Sequence, residues 1–211
     1  LKGKPYSYNT FGYIEDIDNI TNESLYKYYK KVLKEDQIDI FVLGDFSSEE
    51  IKDIFKEYFK IDTFKKDNKN VLVDELNIRK RIVRYREYDN VKQSQLLVLC
   101  SLNGLNEYER KYVIKMYNEI LGGNSNSILF NILREKNSYC YYINSSVKAY
   151  DNILIINSGV DSKNIDKSIK LIKKCLKDIS SGNFSDEDME SSRNTIISAI
   201  KSNRDNPITV I

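Results

Sequence analysis

The order of apolar patterns along residues 80–211 constrains the fold of this chain more than any other feature of its sequence. From residue 80 the chain reads twice as two strand-like segments followed by two helical segments. In chain order these are strands 81–87 and 95–101, helices 107–121 and 127–136, strands 140–149 and 153–160, then helices 164–180 and from 185 onward. Paired strands followed by paired helices are typical of α+β domains. The sequence therefore predicts an α+β fold, an antiparallel sheet with helices packed on one face.

The strand segments carry more specific predictions. The basic segment 81–87 is interpreted as a solvated edge strand in preference to a binding patch. The run Q-L-L-V-L-C-S at 95–101 is apolar at successive positions, which predicts a central strand buried on both faces. The spacing of 140–149 and 153–160, with only 150–152 between them, predicts an antiparallel hairpin.

The N-terminal part of the chain has its own pattern of helix, strand and helix. Thr21 is positioned to cap a helix that runs to about Lys34. The β-rich segment Ile38–Leu43 follows, and a second helix is predicted to open at Ser47, where Glu50 would complete a capping box. Such a unit is typical of the end of an α/β or α+β domain.

The domain organisation follows from a charged segment without clear periodicity at 64–79, which we interpret as a linker. Residues 1–63 are then the C-terminal tail of a first α+β unit, and residues 80–211 are most of a second one. The chain begins with Leu1 instead of a methionine, and we expect it to be a piece of a longer protein.

The chain contains no histidine, which excludes several kinds of catalytic site. Neither a Ser-His-Asp or Cys-His nucleophile nor a histidine zinc site can be built from it. Its three cysteines are far apart and form no C-x-x-C pair, so we expect reduced thiols, a cytoplasmic location and no metal in this chain. A net charge of +2 argues against a nucleic-acid binder, and no run of 18 apolar residues predicts a membrane span.

The segment 120–141 is the richest candidate for chemistry. A helix ends at Gly122 and Gly123, a small polar loop and a short amphipathic helix follow, and a strand begins near Tyr141. The Arg134 guanidinium and the Tyr141 phenol could converge and donate hydrogen bonds to a carbonyl or oxyanion. On spacing alone the simpler interpretation is stronger, in which Arg134 pairs with a carboxylate and Tyr141 packs.

The run L-G-G-N-S-N-S-I-L-F-N-I-L-R-E-K-N-S-Y-C-Y-Y in this segment resembles a signature of the pitrilysin-type zinc peptidases. This family includes insulin-degrading enzyme and mitochondrial processing peptidase. Its usual form is L-G-G, a small polar loop, S-x-L-F, then L-R-E-K and a tyrosine seven residues after the arginine. Other matches, in the expected order, are Gly3-Lys4-Pro5-Tyr6, Ile20-Thr21 with Leu25 to Tyr29, Val42-Leu43-Gly44-Asp45, and Gly182 to Glu187.

The resemblance implies a part of such a protein that lacks the zinc site. The family's H-x-x-E-H motif lies in the first unit of its catalytic half, and nothing here matches it. By resemblance, Arg134 and Tyr141 bind the backbone carbonyl of a peptide substrate near zinc, and Gly122 and Gly123 belong to a loop that handles substrate. Zinc is expected in the catalytic half of the assembly, and the implied partner is a homologous subunit or a missing N-terminal domain.

Two departures from the family pattern leave alternatives open. Ile128 stands before the L-F pair, where members often have Arg or Lys, and Ser138 to Tyr141 read S-Y-C-Y where G-L-A-Y is common. The second departure is similar to small bacterial members that act as non-catalytic partners. We expect this chain alone to be inactive, either contributing substrate-binding residues to a peptide-cleaving chamber or serving as a structural or partner subunit. A third possibility is an unrelated α+β binding domain.

Overall fold

The computed structural model describes residues 8–36, 38–58, 81–149 and 151–210. Its contacts divide the chain into two compact units, Leu1–Lys69 and Asn70–Ile211. The linker predicted at 64–79 lies outside the described residues.

The first unit contains three helices in the described residues, and side chains cap the N-termini of the second and the third. They are α1 (Ile14–Ile17), α2 (Asn22–Glu35) and α3 (Ser48–Tyr58). Thr21 caps α2, since its hydroxyl accepts a hydrogen bond from the Ser24 amide at 3.1 Å and the Ser24 hydroxyl accepts one from the Thr21 amide. The capping box predicted for α3 is confirmed, because the Ser47 amide donates to the Glu50 carboxylate at 2.8 Å and the Glu50 amide donates to the Ser47 hydroxyl.

Two of the predicted strands are wrong. Residues 38–43 and 81–87 are irregular and exposed, and the described part of the chain offers neither of them a ladder partner. β-Branched and aromatic residues favour a strand only where a neighbouring strand takes up the backbone N–H and C=O groups. Local composition therefore predicted two strands for which the described chain has no partner.

The second unit is built on an antiparallel sheet of three strands. These are β1 (Ser94–Ser101), β2 (Cys140–Lys148) and β3 (Ile153–Val160), in the spatial order β1-β3-β2. The predicted hairpin is confirmed as β2 and β3, and Asn152 adopts a positive φ of 54° in its turn. The Arg110 guanidinium fixes this turn by donating to the Ala149 carbonyl at 3.3 Å.

The prediction that 95–101 is a central strand buried on both faces is wrong. Among the described strands β1 lies at an edge and β3 is central. Half-buried and exposed residues alternate along β1, with Leu97 58% and Leu99 54% exposed. The apolar run was ambiguous because it does not reveal that helices cover only one face of the sheet.

The helices of the second unit pack on that one face. They are α4 (the consecutive segments Glu109–Val113, Ile114–Asn118 and Glu119–Gly123), α5 (Phe130–Lys136), α6 (Ile165–Ser180) and α7 (Asp186–Ser202). α4 and α5 contact β2, while α6 and α7 contact α4. They enclose one core whose fully buried members include Leu121, Leu129, Leu133, Leu154, Ile156 and Ile172. The predicted α+β class is confirmed.

Candidate functional site

Arg134 and Tyr141 stand at the two ends of the short connection between α5 and β2. Ser138 turns the chain there with a positive φ of 50°. The Ser138 amide donates to the Arg134 carbonyl and the Tyr139 amide donates to the Leu133 carbonyl, both at 2.9 Å. The Asn137 side-chain amide also donates to a carbonyl of α5, at 2.7 Å. These bonds satisfy the last carbonyls of the helix and fix its exit into the strand.

The Arg134 side chain lies along the surface of α5. Its guanidinium carbon is 4.6 Å from the centre of the Phe130 ring, and its Nε is 3.8 Å from a Glu135 carboxylate oxygen. The side chain is 43% exposed, and within the described residues it makes no hydrogen bond. A long ion pair of this kind contributes little to stability. The Arg134 guanidinium therefore packs on the Phe130 ring, and the N–H donors of the guanidinium remain open to solvent.

Tyr141 is directed away from the core by a β-bulge. Cys140 pairs with Val160 and Tyr142 pairs with Gly159, so Tyr141 is an extra residue in β2 without a ladder partner of its own. Bulges re-aim side chains and are frequent next to active sites. Tyr141 is 76% exposed, so the alternative in which this residue packs in the core is wrong.

The bulge also explains the position of Tyr142, which sequence reasoning missed. Its ring crosses the face of β3 at Gly159, and its hydroxyl donates a hydrogen bond to the Gln95 side chain on β1. A Cβ at Gly159 would lie only 2.6 Å from Tyr142 Cε1 and 2.8 Å from the Gln93 side-chain oxygen. The isolated glycine inside a strand pattern was the available signal of such a close approach.

Gly122 and Gly123 end α4 in two different environments. Gly122 is buried against β2, where a Cβ would lie 2.8 Å from the Ser145 hydroxyl oxygen and 3.0 Å from its backbone nitrogen. Ser145 in turn donates to the Asn118 side-chain oxygen at 2.9 Å. Gly123 is exposed, and the atoms nearest to a Cβ there would be those of the Glu119 carboxylate. Gly122 thus permits the helix to approach the strand that carries Tyr141.

The small polar loop after Gly123 is held by its own side chains. Asn124 donates to the Glu119 carboxylate at 2.9 Å and accepts from the Asn126 amide at 2.8 Å. The Ser127 hydroxyl donates to the Asn124 carbonyl at 2.6 Å, and the Asn131 side chain donates to the Asn126 carbonyl. The loop is therefore pre-ordered at the start of the helix that carries Arg134.

The two helical segments that contain candidate residues both depart from regular α-helical geometry. Phe130–Lys136 is π-helical, and the segment Glu119–Gly123 is kinked at Gly122, whose φ of −165° and ψ of 17° are not helical. π-Helical turns are rare and occur frequently at functional sites. Arg134 thus lies in a π-helical segment, and Gly122 interrupts the helix on the other side of the polar loop.

The structure places Arg134 and Tyr141 at the N-terminal end of β2, without direct contact between them in the described residues, and Gly122 further along the strand, against Ser145. The side chains of Arg134 and Tyr141 are both exposed, and both flank the connection that Ser138 turns. A guanidinium and a phenol on a fixed connection of this kind can donate hydrogen bonds to an acceptor placed between them.

The three thiols offer neither a nucleophile nor a set of metal ligands. Burial raises the pKa of Cys140, although a hydrogen bond with Ser158 and the charge of Arg134 act in the opposite direction. Burial also raises the pKa of Cys100 and brings that of Cys175 to about 11. Protonated thiols are poor nucleophiles and poor metal ligands. Across the described ranges, no three side chains of His, Cys, Asp or Glu group together as a metal site would require.

Ser138 offers a test of the connection itself. We expect Ser138→Gly to raise the free energy of unfolding by about 0.5–1 kcal/mol, because a left-handed conformation costs an L-residue roughly 1–2 kcal/mol and the greater freedom of glycine in the unfolded chain offsets only part of this. Urea unfolding followed by circular dichroism measures the change. Ser198→Gly, at an exposed position inside α7, is the control and should lower stability. Equal destabilisation by both substitutions would show that Ser138 carries no strain.

The profile of the family described as "Peptidase M16 inactive domain" matches residues 19–196. Among curated proteins, "Probable inactive metalloprotease YmfF" of Bacillus subtilis (strain 168) is 28% identical over 198 residues, which are 92% of this chain and 45% of that protein. This chain therefore spans about half the length of the curated relative that it matches.

Two solved structures share the fold over nearly the whole chain. A conserved protein from Enterococcus faecalis V583 has a TM-score of 0.85 and 28% identity, covering 96% of this chain and 47% of that one. A protease from Helicobacter pylori has a TM-score of 0.70 and 15% identity, covering 98% and 51%. The helices in the described ranges include none long and apolar enough to cross a membrane. The family match extends over most of the chain and confirms the pitrilysin-type resemblance: this chain belongs to the peptidase M16 inactive domain family.

Proposed function

We propose that this chain contributes substrate-binding side chains to a peptide-cleaving chamber that another domain or subunit completes, and that it does not itself cleave peptides. The observation that carries the proposal is the bulge at Tyr141. It turns a tyrosine outward at one end of a fixed connection whose other end presents an exposed arginine, Arg134. The two donors suit the carbonyl oxygen of an extended peptide and the oxyanion that forms when that carbonyl is attacked.

The residues of this chain do not fit a zinc site. The chain contains no histidine, and its three cysteines have raised pKa values that oppose thiolate ligation. In this proposal any zinc is held by the half of the assembly that lies outside this chain. The role left to Arg134 and Tyr141 is to bind and orient the peptide, which requires no metal ligand here.

The glycine pair is proposed to handle substrate through Gly123 instead of Gly122. Gly122 is buried against Ser145, whereas Gly123 is exposed beside the Glu119 carboxylate. A peptide that approaches the end of α4 would therefore meet Gly123 and the ordered polar loop. In the domain organisation that we propose, this site lies in the second α+β unit, residues 80–211, which follows the tail 1–63 and the linker 64–79.

The second candidate function is a non-catalytic structural or partner subunit that keeps the fold for assembly. The observation that favours it is the name of the Bacillus subtilis relative, which describes an inactive metalloprotease. The two candidates differ in one respect: a purely structural subunit has no use for an exposed Arg134 and Tyr141.

A cleavage assay separates these functions. The full-length protein that contains this chain is incubated with peptide substrates alone and together with its candidate partner subunit, with added zinc and with a chelator. Chelator-sensitive cleavage only in the mixture, lost in Arg134→Ala, is the result expected for a substrate-binding partner. Cleavage by the full-length protein alone would place the zinc site in the same polypeptide. Cleavage in the mixture that is indifferent to both side chains, or no cleavage at all, would favour the structural subunit.

A further inference from the structure

The exposed side of α6 carries a group of lysines with no acidic residue between them. Between positions 167 and 177 the helix contains five lysines and no acidic residue. We call this group the lysine ridge; its members are Lys167, Lys170, Lys173, Lys174 and Lys177. All five are exposed, and none of them forms an ion pair within the described ranges. At 1.5 Å per residue the ridge extends for about 15 Å.

The spacing of the ridge opposes the stability of its own helix. Lysines recur at intervals of three and four residues, which brings like charges together on one side of a helix. Lys167 also lies in the first turn, where the helix dipole disfavours a positive charge. An ordinary solvated helix face can alternate acidic and basic residues and gain from the same spacing, as Lys56 does with Asp53 on α3 at 2.9 Å. No lysine of the ridge forms an ion pair of this kind within the described residues.

The surroundings of the ridge do not neutralise it. The two acidic residues of α6 lie near the ends of the ridge. Asp166, four residues before Lys170, is 3.6 Å from Arg86. Asp178, four residues after Lys174, forms no ion pair within the described residues. At the N-terminal end, the Lys167 ammonium is 5.6 Å from the centre of the Tyr139 ring. The ridge is thus a local concentration of positive charge on a chain whose net charge is only +2.

From this geometry we propose that the lysine ridge is a docking surface for an acidic polypeptide, independent of the peptide site at Arg134 and Tyr141. The charge and length of the ridge suit a row of carboxylates on a partner protein. Lysine ammonium groups are compact point charges, which pair with carboxylates without the planar, bidentate geometry that arginine brings to phosphates. None of the exposed large apolar side chains of the described residues lies on α6, so the ridge has no anchor for a bilayer and no exposed aromatic residue on its helix for stacking on a base.

Binding of labelled poly-L-glutamate to the full-length protein, measured by fluorescence anisotropy at low and physiological salt, tests this surface. We expect the triple variant Lys170→Gln/Lys174→Gln/Lys177→Gln to weaken binding at least tenfold. The matched control, Lys27→Gln/Lys30→Gln/Lys31→Gln on exposed positions of α2, should bind as the unmodified protein does. Binding should weaken as salt rises, because exposed charges are screened.

A second variant and two competing probes keep the test decisive. Lys170→Arg/Lys174→Arg/Lys177→Arg keeps the charge and should bind poly-L-glutamate, so its loss of binding with an intact circular dichroism spectrum would contradict the proposal. Equal weakening in the α2 control, or no binding to poly-L-glutamate, would also overturn it. Ridge-dependent binding that is tighter to duplex DNA or to vesicles containing phosphatidylserine would assign the surface to a different class of partner and reject the acidic polypeptide.

Discussion

Arg134→Ala is expected to slow peptide cleavage by the full-length assembly by a factor of roughly 10²–10³. Loss of one hydrogen-bond donor to a developing oxyanion raises the barrier by about 3–4 kcal/mol. The Arg134 guanidinium is supported by Phe130 and by a long contact with Glu135, so its removal leaves the core intact. We therefore expect kcat/KM to fall while the free energy of unfolding changes little. Steady-state kinetics and urea unfolding on the same preparation measure both quantities.

Tyr141→Phe is expected to produce a loss of similar size, because it removes only the hydroxyl donor and leaves the ring. Tyr141 is 76% exposed, so removing its hydroxyl leaves the core intact. Two exposed residues on other helices provide matched controls: Arg193→Ala on α7 and Tyr108→Phe beside α4 should leave kcat/KM unchanged. If both site variants turn over substrate as fast as these controls, the proposed role of Arg134 and Tyr141 is wrong.

The combined variant shows whether the two side chains act on one oxygen atom. Donors that share an acceptor act as a unit, and their effects are then far from additive. We expect Arg134→Ala/Tyr141→Phe to lose less activity than the product of the two single losses. Full additivity would indicate that the two side chains contact different parts of the peptide.

The helices and the hairpin could be predicted because their signals are local. Thr21 and Ser185 are cap residues whose partners lie three positions further on, and both capping boxes form. Gly182 ends α6 with a φ of 75°, as expected of a glycine just after a helix. The turn between β2 and β3 is similarly fixed by the short spacing between two apolar segments.

The errors in the strand predictions have a different cause, because strand formation depends on partners that are distant in sequence. Nothing local in residues 95–101 shows that helices cover one face of β1 and leave Leu97 and Leu99 exposed. The segments 38–43 and 81–87 have strand-like composition, but a ladder requires a neighbour that composition does not reveal. Long-range pairing is therefore the part of this fold that the sequence left undetermined.

The sequence nominates the residues of the candidate site, which stays a prediction, but it does not reveal their geometry. The motif selected Arg134 and Tyr141, yet the bulge that turns Tyr141 outward interrupts the two-residue period on which strand predictions rest. If the bulge is ignored, the two-residue period of a strand places Tyr141 and Tyr142 on opposite faces of the sheet. The environments of Gly122 and Gly123 were equally hidden, because a contact with Ser145 on another element has no signature in the sequence around the glycines.

Gly122→Ala is expected to lower the free energy of unfolding by about 1–3 kcal/mol, the usual cost of forcing an added methyl group into a packed interface. A Cβ at this position would lie 2.8 Å from the Ser145 hydroxyl oxygen and 3.0 Å from its backbone nitrogen. The backbone of β2 is held by its ladder with β3 and cannot move aside as a flexible side chain can. Urea unfolding of the variant measures the cost.

Gly123→Ala is the matched control, one residue along the same helix end. The atoms nearest to its added Cβ would be those of the Glu119 carboxylate, the far end of a flexible side chain, at 2.8–2.9 Å. Rotation of Glu119 relieves this contact at the cost of its hydrogen bond with Asn124, so we expect a loss of about 1 kcal/mol or less. Equal destabilisation by the two substitutions would contradict the packing role assigned to Gly122.

A double-mutant cycle locates the cost at the contact with β2. Ser145→Ala removes the hydroxyl oxygen that lies closest to the added Cβ but leaves the backbone nitrogen in place. It also removes the hydrogen bond to Asn118, so the single Ser145→Ala variant should itself be destabilised. In the presence of Gly122→Ala, however, the same substitution relieves a clash, and the double variant should be more stable than the sum of the single effects predicts. Additive effects would mean that the helix end moves away from β2 as a whole.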